Sequence, residues 1–229
     1  MSTSWIVTAQ PNISQLLALA EQRGDSVVVV AVGVTAEHFS GVDRVVEVEV
    51  PASVPAEAVA GSAAEQVAAE PGDMILSGTS PVDRVLAAAV AVQLDVPIFR
   101  GLQGLEPDKA TVLQFGGVLE LTLSLSTPMV FVCEPGAPTE GVCAESTHVS
   151  TTVDGVTVVS EDKTDGQTVN LTASKRIVAC GRGFRDRTDL RIAHDFADQI
   201  GADLACSRPL AEGLGWFERE LYVGISGAQ

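Results

Sequence analysis

Three short clusters near the carboxyl terminus combine residue types that could do chemistry: Gly181-Arg182-Gly183, Ser207-Arg208 and Gly224-Ile225-Ser226-Gly227. The first follows the apolar run Ile177 to Cys180, and the second follows Ala202 to Cys206. Each reads as the loop leaving a buried strand. Ligands of open parallel sheets bind at the carboxyl ends of strands. Arg182 and Arg208 can therefore converge on one crevice although they are remote in sequence, and two guanidinium charges there suit an anionic or electron-rich ligand. A Gly-x-Gly turn taken alone is equally compatible with a tight turn carrying a solvated arginine. A nicotinamide fingerprint is excluded: Asp186 stands where its last glycine is needed, and no acidic residue ends the second strand to hold a ribose.

Other chemistries find little support. Cys133, Cys143, Cys180 and Cys206 form no CxxC pair, and three of them lie in or beside apolar runs, which reads as reduced thiols. Cys143 and His148 have no second pair to complete a zinc site. No Ser-His-Asp set or activated cysteine can be placed, and Gly224 to Ala228 lacks the closing glycine of a nucleophile elbow. The Gly78-Thr79-Ser80 turn either cradles a phosphate on its backbone N–H groups or simply starts a helix.

Thirty acidic residues against fourteen Lys and Arg give a formal charge of −16. That field repels phosphate backbones and anionic membranes, so nucleic acid and membrane surfaces are not expected partners. The longest apolar run, Ser26 to Val34, has the length of a buried strand rather than a membrane span. The first residues lack the basic and apolar regions of a signal peptide, so a cytoplasmic location is expected.

The elements that must position these clusters follow from periodicity. A strand near Trp5 to Val7 leads to a helix with Asn12 and Gln15 at its start, Ile13, Leu16, Leu17 and Ala20 on its inner face, and Gly24 at its end. Ser26 to Gly33 reads as a central parallel strand and Arg44 to Val50 as one nearer an edge. An alanine-rich helix from about Pro55 to Ala69 precedes the strand Asp73 to Gly78. Ser80 then caps a helix with Pro81 at its first position, and Asp95 to Phe99 returns to the sheet. From Thr111 to Val159, short β-rich segments including Pro128 to Cys133 and His148 to Ser160 predict an antiparallel extension. The polar stretch 161–173 reads as a linker, giving domains 1–160 and 174–229. In the second, Asp186 or Thr188 caps a helix with Ala193, Phe196, Ala197 and Ile200 inward and Gly201 at its end. The expected class is α/β: a parallel-sheet N-terminal domain with an antiparallel β extension, then an incomplete Rossmann-like domain.

Over Arg176 to Ser226 the chain resembles the alpha subunit of electron-transfer flavoprotein, in its bacterial Fix or carnitine-linked branch. The resemblance rests on Gly181-Arg182-Gly183, Ser207-Arg208 and Val223-Gly224-Ile225-Ser226-Gly227 in matching order. The segments Met74 to Phe99 and Gln114 to Val132 are similar to that family's first domain. The resemblance implies FAD as cofactor, with Gly181, Arg182 and Gly183 at its cleft and Arg208 against the flavin ring. Ser207 and Ser226 supply hydroxyls there, with Gly224, Ile225 and Gly227 completing the last motif. It implies an electron carrier in electron transport, including fatty acid β-oxidation, rather than an enzyme that converts a substrate. It further implies a heterodimer with a beta subunit, fed by a flavin dehydrogenase, with Val118 to Leu125 able to pack at the subunit contact.

Family members continue past the last motif into a Pro-Glu-Leu-Tyr strand and an Ile-Gln-His helix start that help to hold the cofactor. This sequence stops at Gln229, so it reads as a C-terminally truncated alpha subunit expected to hold FAD weakly or not at all. The alternative is a non-catalytic relative acting as a partner-binding module without FAD.

Overall fold

The computed structural model describes residues 2–139, 141, 145–160, 171 and 174–224. The chain separates into two compact units, 1–160 and 161–229.

The first unit is built on a seven-stranded, wholly parallel sheet. Its strands are β1 (Thr3–Thr8), β2 (Ser26–Val32), β3 (Arg44–Val48), β4 (Met74–Ser77), β5 (Ile98–Arg100), β9 (Met129–Val132) and β10 (Ser146–Val149). They lie in the order β10-β3-β2-β1-β4-β9-β5. A three-stranded antiparallel sheet, β6 (Leu102–Leu105), β7 (Lys109–Gln114) and β8 (Leu119–Ser124), stands beside it. Strand alternation distributes the apolar residues over both faces. Trp5, Val7, Val28 and Val30 meet α2 (Ala60–Ala64) and α3 (Pro81–Leu94) on one side. Ile6, Val27, Val29 and Leu76 meet Ile13, Leu16 and Phe39 on the other, together with Leu105, Val112 and Leu125 of the antiparallel region.

Several expectations are corrected here. Pro128 to Cys133 and the residues around His148 do not extend the antiparallel sheet: β9 inserts in parallel between β4 and β5, and β10 pairs in parallel with β3. The reason for β9 is burial, since Val130, Phe131 and Val132 are enclosed on both faces and only a central strand offers that. Helix α1 (Ser14–Arg23) is not capped by Asn12, which bridges to Pro138 instead. The N–H groups of Ile13 and Ser14 donate to the Ala137 carbonyl and that of Gln15 to the Pro135 carbonyl, so a distant loop does the work of a cap. The alanine-rich segment forms a 3-10 turn at Ala56–Val59 and a five-residue α2 rather than one long helix. Of Val118 to Leu125, only Val118 and Leu119 carry exposed apolar side chains. Leu121 and Leu123 pack toward the core and Leu125 is buried.

Buried polar groups tie the amino-terminal ends of the strands together. Arg23 Nε lies 2.9 Å from Asp25 Oδ2, with both side chains almost fully enclosed. Ser4 Oγ donates to the same carboxylate at 2.6 Å, and Arg23 Nη2 donates to the Gly72 carbonyl at 2.6 Å. Asp73 accepts from the N–H groups of Thr3 and Glu70. These contacts offset part of the cost of enclosing polar groups in a dry interior, while Arg23 Nε and Nη1 make no hydrogen bond among the described residues.

In the second unit, β11 (Ile177–Cys180) and β12 (Asp203–Cys206) are parallel and in register, joined by a 3-10 turn at Arg187–Leu190 and α4 (Arg191–Ile200). Asp186 rather than Thr188 supplies the cap, accepting from the Thr188 N–H at 2.8 Å. Ala193 and Ala197 face the core with Cys180, Cys206 and Leu210, and Gly201 ends the helix in the left-handed conformation. Phe196 is 53% exposed and Ile200 37%, so neither is an inner-face residue as the spacing suggested. Two strands cannot cover both flanks of a helix.

Candidate functional site

Helix α4 packs Ala193 into the cluster formed with Cys180 and Cys206, the last residues of β11 and β12. Past Cys180 the chain turns into Gly181-Arg182-Gly183, and past Cys206 into Ser207-Arg208. The Ser207 N–H donates to the Cys180 carbonyl at 2.9 Å. Tyr222 then forms a parallel bridge with Cys206, and the Val223 N–H donates to the Cys206 carbonyl at 2.9 Å. Gly181, Ser207 and Gly224 thus follow three neighbouring parallel chain segments at their carboxyl ends. Ile225, Ser226 and Gly227 lie outside the described residues.

The local chemistry fits a ligand. Ser207 Oγ is buried without a partner among the described residues, a costly state unless something else meets it. Neither Gly181 nor Gly183 has a left-handed φ, and a Cβ on either would touch nothing within 4 Å. The folded chain itself does not require glycine there, so the backbone lies open to close approach. Gly224 differs, having φ 141° with the Tyr222 ring against the place of its Cβ. Arg182 is exposed and unpaired among the described residues. Arg208 is also exposed, but its Nε donates to Glu212 Oε2, while Glu212 Oε1 accepts from Arg219 Nη2 at 2.9 Å. Hydrogen bonds from Arg208 and then Arg219 hold the Glu212 carboxyl below its ordinary range. The same carboxylate raises the Arg208 guanidinium. Sequence reasoning missed Glu212; its signal was the spacing of four residues from Arg208.

Thiol chemistry has little footing. Burial raises the thiols of Cys180 and Cys206, the latter also through its neighbour Cys180, so both are held neutral. In the first unit, burial and then Glu134 push the Cys133 thiol up to about 12. Cys143 lies outside the described residues. Among the described residues no group of three or more His, Cys, Asp or Glu could hold a metal ion, and no helix is long and apolar enough to cross a membrane.

The Gly78-Thr79-Ser80 turn starts a helix. Ser80 Oγ accepts from the Asp83 N–H at 3.1 Å with Pro81 at the first position. Asp83 Oδ1 accepts from the Ala9 N–H at 2.8 Å and from Thr8 Oγ1 at 3.1 Å, and a Cβ on Gly78 would collide with Oδ2. The chain's own carboxylate thus occupies the place an anion would take. A separate cleft of about 600 Å³ in the second unit is lined by Arg187, Arg191, His194, Leu204, Trp216 and Phe217. None of Arg182, Ser207 and Arg208 lines it. The strand-end cluster therefore rests on its unpaired groups rather than on an enclosed cavity.

These features define an α/β protein whose candidate site lies at strand carboxyl ends, where open parallel sheets bind ligands. Residues 13–165 match the electron transfer flavoprotein domain, and residues 170–229 match the electron transfer flavoprotein FAD-binding domain. The chain belongs to the electron transfer flavoprotein family, and is of the alpha type. It is 27% identical over 166 residues to YdiR of Escherichia coli strain K12, named as an electron transfer flavoprotein subunit, covering 67% of this chain and 53% of YdiR. It is 28% identical over 156 residues to FixB of Escherichia coli O81, covering 62% of this chain and 50% of FixB. With LctC of Acetobacterium woodii, named as a subunit of lactate dehydrogenase (NAD(+),ferredoxin), it shares 35% identity over 96 residues, 42% of this chain and 22% of LctC. The chain spans about half the length of the curated relatives YdiR and FixB.

Proposed function

We propose that the chain acts as the alpha-type subunit of an electron transfer flavoprotein, holding one side of a FAD and pairing with a beta-type subunit that completes the carrier. The observation that carries this reading is the unpartnered, buried Ser207 Oγ beside Arg208 at the end of a parallel strand. It is the group a cofactor would satisfy, and it lies in the segment that matches the FAD-binding domain. FAD, when bound, supplies the capacity to take up and release single electrons. The chain's own residues do the rest. Arg182 and Arg208 place positive charge where an electron-rich ring or a phosphate would sit, favouring its anionic form. Ser207 offers a hydrogen bond, and the open backbone at Gly181 and Gly183 permits close approach. Electrons would arrive from a flavin dehydrogenase, with a cytoplasmic setting and a role in fatty acid β-oxidation as the context.

Among the described residues, three segment ends would meet a ligand from one side. The small buried area predicts weak retention, with no stoichiometric flavin in the purified chain but measurable binding on titration. Quenching of FAD fluorescence by the chain is the test. Arg208→Ala is expected to weaken binding about tenfold or more, as loss of a charged hydrogen bond does. Binding unchanged in Arg208→Ala, or no binding at all, overturns the reading.

A further inference from the structure

We infer that Glu212 is a positioning residue for Arg208, gripping the guanidinium at Nε so that its terminal nitrogens face the ligand. The inference rests on the flavin reading of Arg208 above. Buried Leu210, whose N–H donates to the Ser207 carbonyl at 2.9 Å, anchors the Pro209–Gly213 turn and so places the Glu212 side chain one turn beyond Arg208. One carboxylate oxygen holds Arg208 Nε and the other holds Arg219. Arg219 belongs to the turn Arg219–Leu221 that leads directly into Tyr222 and Val223, beside Cys206. A single carboxylate therefore ties together two of the three segments whose ends form the site.

Among the described residues the Nη atoms of Arg208 make no hydrogen bond, so holding Nε leaves the opposite edge available. An exposed arginine otherwise samples many rotamers, and ordering it at the moment of binding costs affinity. The clamp removes that cost beforehand. Its carboxylate also keeps two guanidinium groups close together that would otherwise repel.

The test combines a reading without cofactor and one with it. In the intact chain, the Arg208 Nε–Hε resonance should exchange slowly with solvent. It should be lost in Glu212→Ala and retained in Glu212→Gln, whose amide oxygen still accepts. FAD titrations should show Glu212→Ala weakened about two- to tenfold, the effect of leaving one long side chain unordered. Glu212→Gln should recover most of the affinity, and Glu212→Ala should add nothing in an Arg208→Ala background. Circular dichroism controls for folding. Wild-type affinity in Glu212→Ala, beside a weakened Arg208→Ala, overturns the positioning role alone. Unchanged binding in Arg208→Ala overturns the flavin reading instead.

Discussion

The two units solve the same problem, a parallel α/β arrangement, with very different resources. The first carries 19 of the chain's 30 acidic residues and 5 of its 14 Lys and Arg, while the second carries 11 and 9. Both faces of the first unit's sheet are sealed by separate apolar clusters, and its most enclosed ion pair, Arg23 with Asp25, is almost without solvent. Among the described residues the second unit has one small cluster around Cys180, Cys206 and Leu210, and its ion pairs lie at the surface. The contrast separates a sheet sealed on both faces from a unit held by a thin core with its charged pairs at the surface. Asp83 and Ser207 both lie near the carboxyl end of a parallel strand, the first within α3 and the second directly past β12. Asp83 Oδ1 accepts from Thr8 and Ala9, whereas Ser207 Oγ, like Asp83 Oδ2, is buried without a hydrogen-bond partner among the described residues.

The largest expected effect tests the cohesion of the first unit. Asp25→Ala strands Arg23 in a dry site and should cost about 3 to 5 kcal/mol in a denaturant titration. A loss near that of an ordinary surface change would remove the distinction drawn here. Next comes the thin core of the second unit. Leu210 is fully buried, and Leu210→Ala should cost about 2 to 5 kcal/mol. Hydrogen exchange should show the loss confined to 174–224, with β1 to β4 still protected. Loss of protection across both units would show that they unfold as one.

A smaller effect concerns association. Phe115 holds a positive φ of 53° and, with Val118, is over four-fifths exposed at the β7–β8 tip. Phe115→Ser should weaken pairing with a co-expressed beta-type subunit on size exclusion while leaving the melting temperature unchanged. Undiminished pairing would move the contact elsewhere. The smallest effect is on acid stability. The Val27 N–H and then Ser26 Oγ lower the Asp43 carboxyl. Its contribution is complete above the ordinary Asp value of about 3.9 and fades as pH falls through the depressed folded value. Asp43→Asn should therefore be less stable near neutrality and show a flatter loss below about pH 4. An acid limb as steep as that of the wild type would rule this out.

The sequence made some of this contrast legible. Ser26 to Val32 is apolar at every position but the first, which only a doubly covered strand tolerates, and it lies next to the centre of the sheet. Ser80 and Pro81 announced α3 because cap chemistry is local. The placement of Met129–Val132 was not legible, since its run shows burial but not which neighbours supply it, and the hairpins before it suggested another hairpin. The same limit hid the loop that caps α1, which comes from more than a hundred residues away. At the candidate site the strand-end residues were visible from spacing. The link from Glu212 to Arg208 and Arg219 was not, because it depends on a turn whose shape is set by Leu210.

The insertion of β9 between β4 and β5 also constrains how the molecule comes into being. Among the described residues strand β5 pairs with β9 alone, so it has no place in the parallel sheet until Met129–Val132 has been made. On the ribosome, a nascent chain that ends before Met129 presents Met74–Ser77 with one paired edge and one bare, apolar edge. The sheet closes only when a contact spanning some fifty residues of sequence forms, and loop closure of that kind slows folding. Aggregation pressure during synthesis is therefore concentrated on β4, a strand that the finished protein buries completely.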